Sequence, residues 1–152
     1  MSEVIGMPGE FLFEQVVKII RVANYGVDFD SLLSGGKPPA EGARFDIYLE
    51  GTATGPKLKG AVKSVDYSDL RADGILELDY HSEITTEDGS RIAFKAGGVV
   101  RPDAKAAVAQ LRVNGVLRTS APKYIWLNRQ LIWAPGTVDF AKREIRFRAY
   151  AV

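Results

Sequence analysis

From residue 44 to residue 50, apolar and polar side chains alternate without a break: Phe45, Ile47 and Leu49 fall on one side, Arg44, Asp46, Tyr48 and Glu50 on the other. That period of two belongs to an extended strand with one buried face. Similar or β-branched segments return along the chain with turn chemistry between them. Phe11 to Val22 carries Val16, Val17, Ile19, Ile20 and Val22, which favour a long strand. Ala61 to Tyr67 is a return strand after the Gly51 to Gly60 turn region, and Ile75 to Thr85 follows the turn pair Asp73-Gly74. Glu87-Asp88-Gly89-Ser90 leads into Arg91 to Val100, where Ile92 and Phe94 mark an apolar face. Val113 to Thr119, Tyr124 to Trp133 and Glu144 to Val152 complete the set. Sequential strands that do not alternate with helices predict an all-β fold, a single-domain antiparallel β-barrel of up-and-down type spanning residues 1–152. Closure would also remove the exposed sheet edges.

Two segments stand outside this pattern. Pro102 to Leu111 has Pro near its start, Asp103 in a favourable N-terminal position and an Ala-rich body, which predicts the one short helix, around residues 102–111. The connection through Gly42 contains Gly35-Gly36 and Pro38-Pro39, which interrupt both helix and sheet. Its Tyr25, Phe29, Leu32 and Leu33 either fold over an opening as a lid or pin a surface loop.

Composition narrows the function classes. A chain of 152 residues that is 46% hydrophobic suffices for one core and one domain. Its net charge of +1 supplies no strong field toward nucleic acid or an anionic membrane, so neither partner is expected. The basic group Lys142-Arg143, Arg146 and Arg148 fits an exposed outer strand face, because Arg146, Arg148 and Tyr150 share a side. No apolar run approaches the roughly 20 residues that cross a bilayer. The absence of cysteine excludes a disulfide framework, a thiolate metal site and a cysteine nucleophile. Met1-Ser2-Glu3 opens nothing like a basic-then-apolar leader, which makes cytoplasmic residence the expectation.

Chemistry-bearing residues gather on a few strand faces. Glu77, Asp79, His81 and Glu83 share one face of the Ile75 to Thr85 strand, and Leu76, Leu78, Tyr80 and Ile84 take the other. Asp79 is two residues from His81, so its carboxylate can orient the imidazole or raise its proton affinity. On another strand Tyr48 and Glu50 share a face with Arg44 and Asp46, offering a phenol, a second acid or base, and a cation. Read as a strand, Tyr124, Trp126 and Asn128 project to one side and Ile125, Leu127 and Leu131 to the other. Two placements are open. Either aliphatics fill the barrel and these polar faces meet water, or part of the polar surface turns inward with the aromatics to make a cavity with apolar walls and convergent polar groups.

Other motifs do not hold. Gly51-Thr52-Ala53-Thr54-Gly55-Pro56-Lys57 has the wrong spacing for a phosphate loop, and Leu58 stands where a hydroxyl is needed. Gly97-Gly98 lacks the strand-loop-helix setting of a dinucleotide site and reads as a bulge or bend. A single His with acidic neighbours does not make a repeated metal-ligand spacing, so no metal is assigned. Ser82 adjoins His81, which sets them on opposite strand faces, and no nucleophile elbow appears.

Four pieces together carry a family resemblance: Gly55-Pro56-Lys57-Leu58-Lys59-Gly60, Asp73-Gly74 leading to Leu78-Asp79, the Glu87-Asp88-Gly89 turn before Ile92, and Tyr124-Ile125-Trp126-Leu127-Asn128-Arg129. In this order, from about Gly42 to Trp133, the chain resembles the bacterial and fungal family catalogued as domain of unknown function 3237. The resemblance implies a compact antiparallel barrel of lipocalin-like or cyclase-like architecture, often a homo-oligomer, with no common activity. It implies arginine at the position of His81, where this chain departs. It also favours the inward placement, because the matching pieces include the polar Asp79 and Asn128.

The expected function is therefore a cofactor-independent isomerase, cyclase or lyase acting by general acid-base chemistry on a small apolar or aromatic carbonyl compound in the barrel cavity. His81, tuned by Asp79, would move the proton with Glu50 as second acid or base. Tyr48 or Asn128 would hold a developing oxyanion, while Tyr124, Trp126, Asn128 and Arg44 bind the substrate. The alternatives are a non-catalytic carrier or sensor using the same pocket, and a structural oligomerisation module. Catalysis needs Asp79 and His81 at a reachable cavity, a carrier needs the cavity alone, and a structural module needs neither.

Overall fold

The computed structural model describes residues 9–102 and 108–152. Eight antiparallel strands follow one another around a closed barrel: β1 Glu10–Asn24, β2 Ala43–Thr54, β3 Lys59–Leu70, β4 Leu76–Thr86, β5 Arg91–Arg101, β6 Val108–Arg118, β7 Leu131–Asp139 and β8 Glu144–Ala151. Each strand pairs with the next, and β8 returns to β1 with Phe13 opposite Ala149 and Val17 opposite Ile145. The expected all-β barrel is thus the fold. Strand β1 is the longest, at 15 residues, and its pairing with β2 slips at Ile20, a bulge that bends the strand and assists closure.

Alternation decides what faces inward. Phe13, Gln15 and Val17 from β1, Val62, Ser64, Asp66, Ser68 and Leu70 from β3, and Leu76, Tyr80, Ser82 and Ile84 from β4 are all buried. In the middle of the barrel Phe13, Tyr80, Phe94 and Phe147, from β1, β4, β5 and β8, meet at ring-centre distances of 6.0 to 6.4 Å, several edge to face. Such packing adds aromatic contact energy to the burial of large apolar area.

The two rims differ in kind. At one rim the β1–β2 connection carries the five-residue helix α1, Phe29–Leu33, over the opening beside the β3–β4 and β7–β8 turns. At the other rim lie the β2–β3 and β4–β5 turns and a 3-10 helix, Pro122–Arg129. That helix corrects the expected strand from Tyr124 to Trp133: only Leu131 onward is β7. Pro122 opens its first turn, and Tyr124 and Leu127, three residues apart, are the buried pair. A three-residue spacing of apolar side chains suits a tight helix rather than a strand.

The helix expected around residues 102–111 is also corrected where it can be seen. Positions 103–107 lie outside the described residues, and Val108 to Leu111 begin β6, with Ala109 and Leu111 buried. Pairing on both sides, to β5 and β7, overrides the helical propensity of alanine there. Gly97-Gly98 is neither bulge nor bend, since β4 and β5 keep their register through Asp79–Gly97 and Leu78–Gly98. Instead, a Cβ added at Gly98 would lie 2.0 Å from the Arg112 carbonyl oxygen, so glycine permits β5 and β6 to approach. Among the described residues no helix is long and apolar enough to cross a membrane.

Candidate functional site

Polar groups enter the barrel on three strands. On β3 the inner positions run Val62, Ser64, Asp66, Ser68, Leu70, so three polar side chains sit between aliphatic ends. Asp66 is only 3% exposed. Its carboxylate accepts hydrogen bonds from the Ser68 hydroxyl at 2.7 Å and from the Asp79 backbone N–H at 3.1 Å. The second bond has a local cause: the β3–β4 backbone pairing stops at Asp66–Tyr80 and resumes at Asp69–Glu77, and the carboxylate serves a donor within the gap. Burial pushes the Asp66 carboxyl up to about 6, although the Ser68 hydroxyl and the Asp79 N–H favour its charged form. A carboxyl titrating there can both give and take a proton near neutral pH.

Beside it stands a neutral polar chain. Gln15 Nε2 donates to the Tyr80 hydroxyl, which donates to Ser64 Oγ at 2.9 Å. Ser82 lies opposite Ser64 across β3 and β4. Burial drives the Tyr80 phenol well above its ordinary range and keeps it protonated. Gln15 Oε1 is buried with no hydrogen-bond partner among the described residues, whereas the Ser82 hydroxyl lies beside the Tyr80 phenol and favours its charged form.

Asp66, Ser68 and Tyr80 line a cavity of about 30 Å³ whose other walls include Ile47, Val113 and Phe147. That volume admits about two waters, each needing roughly 10–15 Å³. Phe29, Leu76 and Phe140 also line a hollow of about 560 Å³ outside it, which reaches Leu32, Leu33 and Pro102. The same three side chains therefore separate the inner cavity from the outer hollow. Phe29 packs edge-on against Phe45, with ring centres 5.2 Å apart. Its helix is fastened by exposed polar contacts: Asp28 caps it through the Ser31 N–H, Asn24 accepts from the Phe29 N–H, and Arg143 bonds Asp30 at 2.6 Å. Within this connection Phe29 is buried over the inner cavity and Leu32 and Leu33 are half-buried beside the outer hollow, whereas Tyr25 is exposed and bonds Asp46 on the outside.

The residues expected to form the site are placed elsewhere. Asp79 and His81 do pair, at 2.9 Å, but they point outward from β4, with side chains 57% and 42% exposed, and the imidazole leans edge-on toward the Tyr67 ring. The reason is strand parity: Tyr80, Ser82 and Ile84 take the inner face, so Glu77, Asp79, His81 and Glu83 must take the outer one. Tyr48 lies outside under the Arg21 guanidinium, 3.8 Å from its ring centre, and Glu50 is exposed. Arg44 binds Asp46 on the outer surface at 3.0 Å, where Asp46 also receives the Tyr25 hydroxyl.

The aromatic segment belongs to the rim opposite the lid. Tyr124 is buried there and Trp126 lies half-buried, with the Lys57 ammonium 5.6 Å from its ring centre. Asn128 accepts from the Thr119 N–H and donates to the Thr119 carbonyl, both at 2.8 Å, which makes it a clamp on the end of β6. Trp126 and Asn128 therefore do not meet Asp79 and His81, and neither pair lines the inner cavity. Asp79 reaches the interior only through its backbone N–H.

Among the described residues no three His, Cys, Asp or Glu side chains converge as a metal-binding group. The sequence reading missed Gln15, Ser64, Asp66, Ser68 and Ser82. One signal was available: Ser64, Asp66 and Ser68 are in phase with Val62 and Leu70, so the apolar ends of β3 assign the polar middle to the interior.

Solved structures share this architecture. A protein of unknown function from Clostridium acetobutylicum superposes with a TM-score of 0.76 at 20% identity, covering 94% of this chain and 97% of that one. A beta-barrel like protein from Acinetobacter baumannii gives 0.72 at 21% identity, with 99% of each chain covered. A structure described as an enzyme from Penicillium herquei gives 0.61 at 23% identity, again over 99% of each. At these identities the likeness shows the fold. No curated protein matches the chain. The family model for proteins of unknown function designated DUF3237 matches residues 20–152, from the middle of β1 through β8, and the chain belongs to that family.

Proposed function

We propose that the barrel interior is the reaction chamber of a cofactor-independent isomerase, cyclase or lyase, and that Asp66 moves the proton. The observation that carries this reading is a buried carboxyl held near pH 6 on the wall of an otherwise largely apolar cavity. The role first given to His81 passes to Asp66, and the oxyanion role given to Tyr48 or Asn128 passes to Tyr80, whose buried phenol stays protonated and lines the same space. A neutral substrate suits the chamber, because an anion would meet the Asp66 charge in a low dielectric. Entry requires Phe29 to step aside and join the cavity to the outer hollow. The similar Penicillium herquei structure, described as an enzyme, agrees with catalysis on this scaffold.

Deuterium exchange at the carbon beside the carbonyl of a small aryl ketone tests the reading without knowledge of the natural substrate. The protein should accelerate exchange, with a rate that rises as Asp66 ionises around pH 6, and Asp66→Asn should abolish the acceleration. Equal exchange by wild type and Asp66→Asn would remove Asp66 from the chemistry. The carrier reading rests on the enclosed apolar wall alone and requires no titrating group. Ketone binding with no exchange by either protein would select it.

A further inference from the structure

The inner cavity, at about 30 Å³, is far smaller than the roughly 150 Å³ of an enclosed space that holds one benzene ring. An aryl frame therefore does not fit wholly beside Asp66. The outer hollow has the missing room, about 560 Å³, within the roughly 300–1,000 Å³ of small-molecule sites. Its wall also differs in character. Leu32, Leu33 and Pro38 from the β1–β2 connection line it together with Phe45, Leu70 and Ala109 from the barrel rim, and among the described residues no charged or polar side chain joins them. Polar groups lie only at the inner end, where Asp66 and Ser68 bring a carboxylate and a hydroxyl 2.7 Å apart onto the cavity wall beside the Tyr80 ring. The two spaces adjoin directly, because Phe29, Leu76 and Phe140 line both.

We propose that the substrate straddles this shared wall: a neutral molecule whose ring-sized apolar body seats in the outer hollow and whose reacting end, a terminal carbonyl group of about acetyl size, passes Phe29 into the inner cavity. This rests on the interior being the reaction chamber. The direction of entry follows from the two walls, since an apolar body gains by burial among Leu32, Leu33 and Phe45, and only the inner end offers polar side chains to a carbonyl. Binding free energy then comes from a part of the molecule remote from the reacting atoms and is available to hold the small end against Asp66. Specificity for that end falls to Leu76 and Phe140. Leu76 opens β4 and Phe140 follows β7, so both are carried by the barrel wall, whereas Phe29 sits on the five-residue helix of the connection. A branched or ring-bearing end exceeds the space for about two waters behind them.

Acetophenone titrated into the full chain and followed by NMR tests the pose without relying on turnover. Intermolecular NOEs should run from its ring protons to the Leu32 and Leu33 methyls, and from its acetyl methyl to those of Ile47 and Val113 on the inner cavity. Leu33→Trp fills the hollow and should weaken binding by about tenfold or more. Isobutyrophenone has the same ring and a branched end, so it should keep the ring contacts and lose those to Ile47 and Val113. Ring contacts confined to Ile47 and Val113, unaltered affinity in Leu33→Trp, inner contacts retained by isobutyrophenone, or no binding of acetophenone at all would each overturn the straddling seat. Seat and chemistry fail separately. The expected contacts without deuterium exchange support the seat and remove the reaction, whereas exchange by a protein that gives no contacts at Leu32 and Leu33 overturns the seat and leaves Asp66 in its role.

Discussion

Two aspartates on neighbouring strands have opposite fates. Asp66, on the inner face of β3, is 3% exposed and held by one hydroxyl and one backbone N–H, whereas Asp79, on the outer face of β4, has a side chain 57% exposed and paired with His81. The outer pair has the composition expected of a catalytic dyad, and water dilutes its electrostatics. The inner carboxyl has no such partner. Its chemistry comes from the removal of water, which raises its proton affinity into the neutral range. The type of residue suggests a site, but strand parity and burial decide whether it becomes one.

The sharpest way to break this comparison is activity. Asp66→Asn should lower the ketone exchange rate by about 10²- to 10⁴-fold, the usual worth of a positioned acid-base group, while His81→Ala and Asp79→Asn leave it near wild type. Loss of exchange in His81→Ala with retention in Asp66→Asn would reverse the assignment.

Stability against pH comes next. Because the folded pKa of Asp66 is raised from 3.8 to about 6, the unfolded chain releases the proton first as pH rises. The stabilising contribution is fully present below about pH 4 and is lost as pH climbs through about 6, amounting to about 3 kcal/mol by pH 8. Asp66→Asn should flatten this slope in urea unfolding across that window.

Smaller effects separate the rims from the interior. Asn128→Ala removes two bonds to the Thr119 backbone and should destabilise unfolding by about 1–3 kcal/mol with no change in exchange rate. Arg143→Ala cuts an exposed tie between the β7–β8 turn and α1, which should cost below about 1 kcal/mol globally. Hydrogen exchange at the Phe29 amide should nonetheless accelerate, since local opening of a lid needs little free energy. Unchanged protection at Phe29 would show that the Arg143 tie does not help to hold α1.

How much of this was legible varied with the strength of the local pattern. The clean alternation of Phe45, Ile47 and Leu49 on β2, and the turn pairs at Asp73-Gly74 and Glu87 to Ser90, place strands that the structure retains. Tyr124 to Arg129 misled because aromatics and aliphatics there satisfy a period of two as well as the three-residue spacing of Tyr124 and Leu127, and only closure of the rim chooses between them. Val108 to Leu111 misled for the opposite reason, since its pairing partners on β7 lie some thirty residues away. For the site, His81 stands out in the sequence as its single histidine, beside a carboxylate two residues away. Asp66 lay unremarked in Ser64-Val65-Asp66-Tyr67-Ser68, because a polar inner face on β3 runs against the rule that buried positions are apolar.

A carbon-detected NMR titration of the aspartate side-chain carboxyls tests the contrast between the two faces most directly. The account predicts that Asp66 titrates with a midpoint of about 6. A midpoint in the ordinary carboxylate range would contradict a buried proton-transfer group in the barrel.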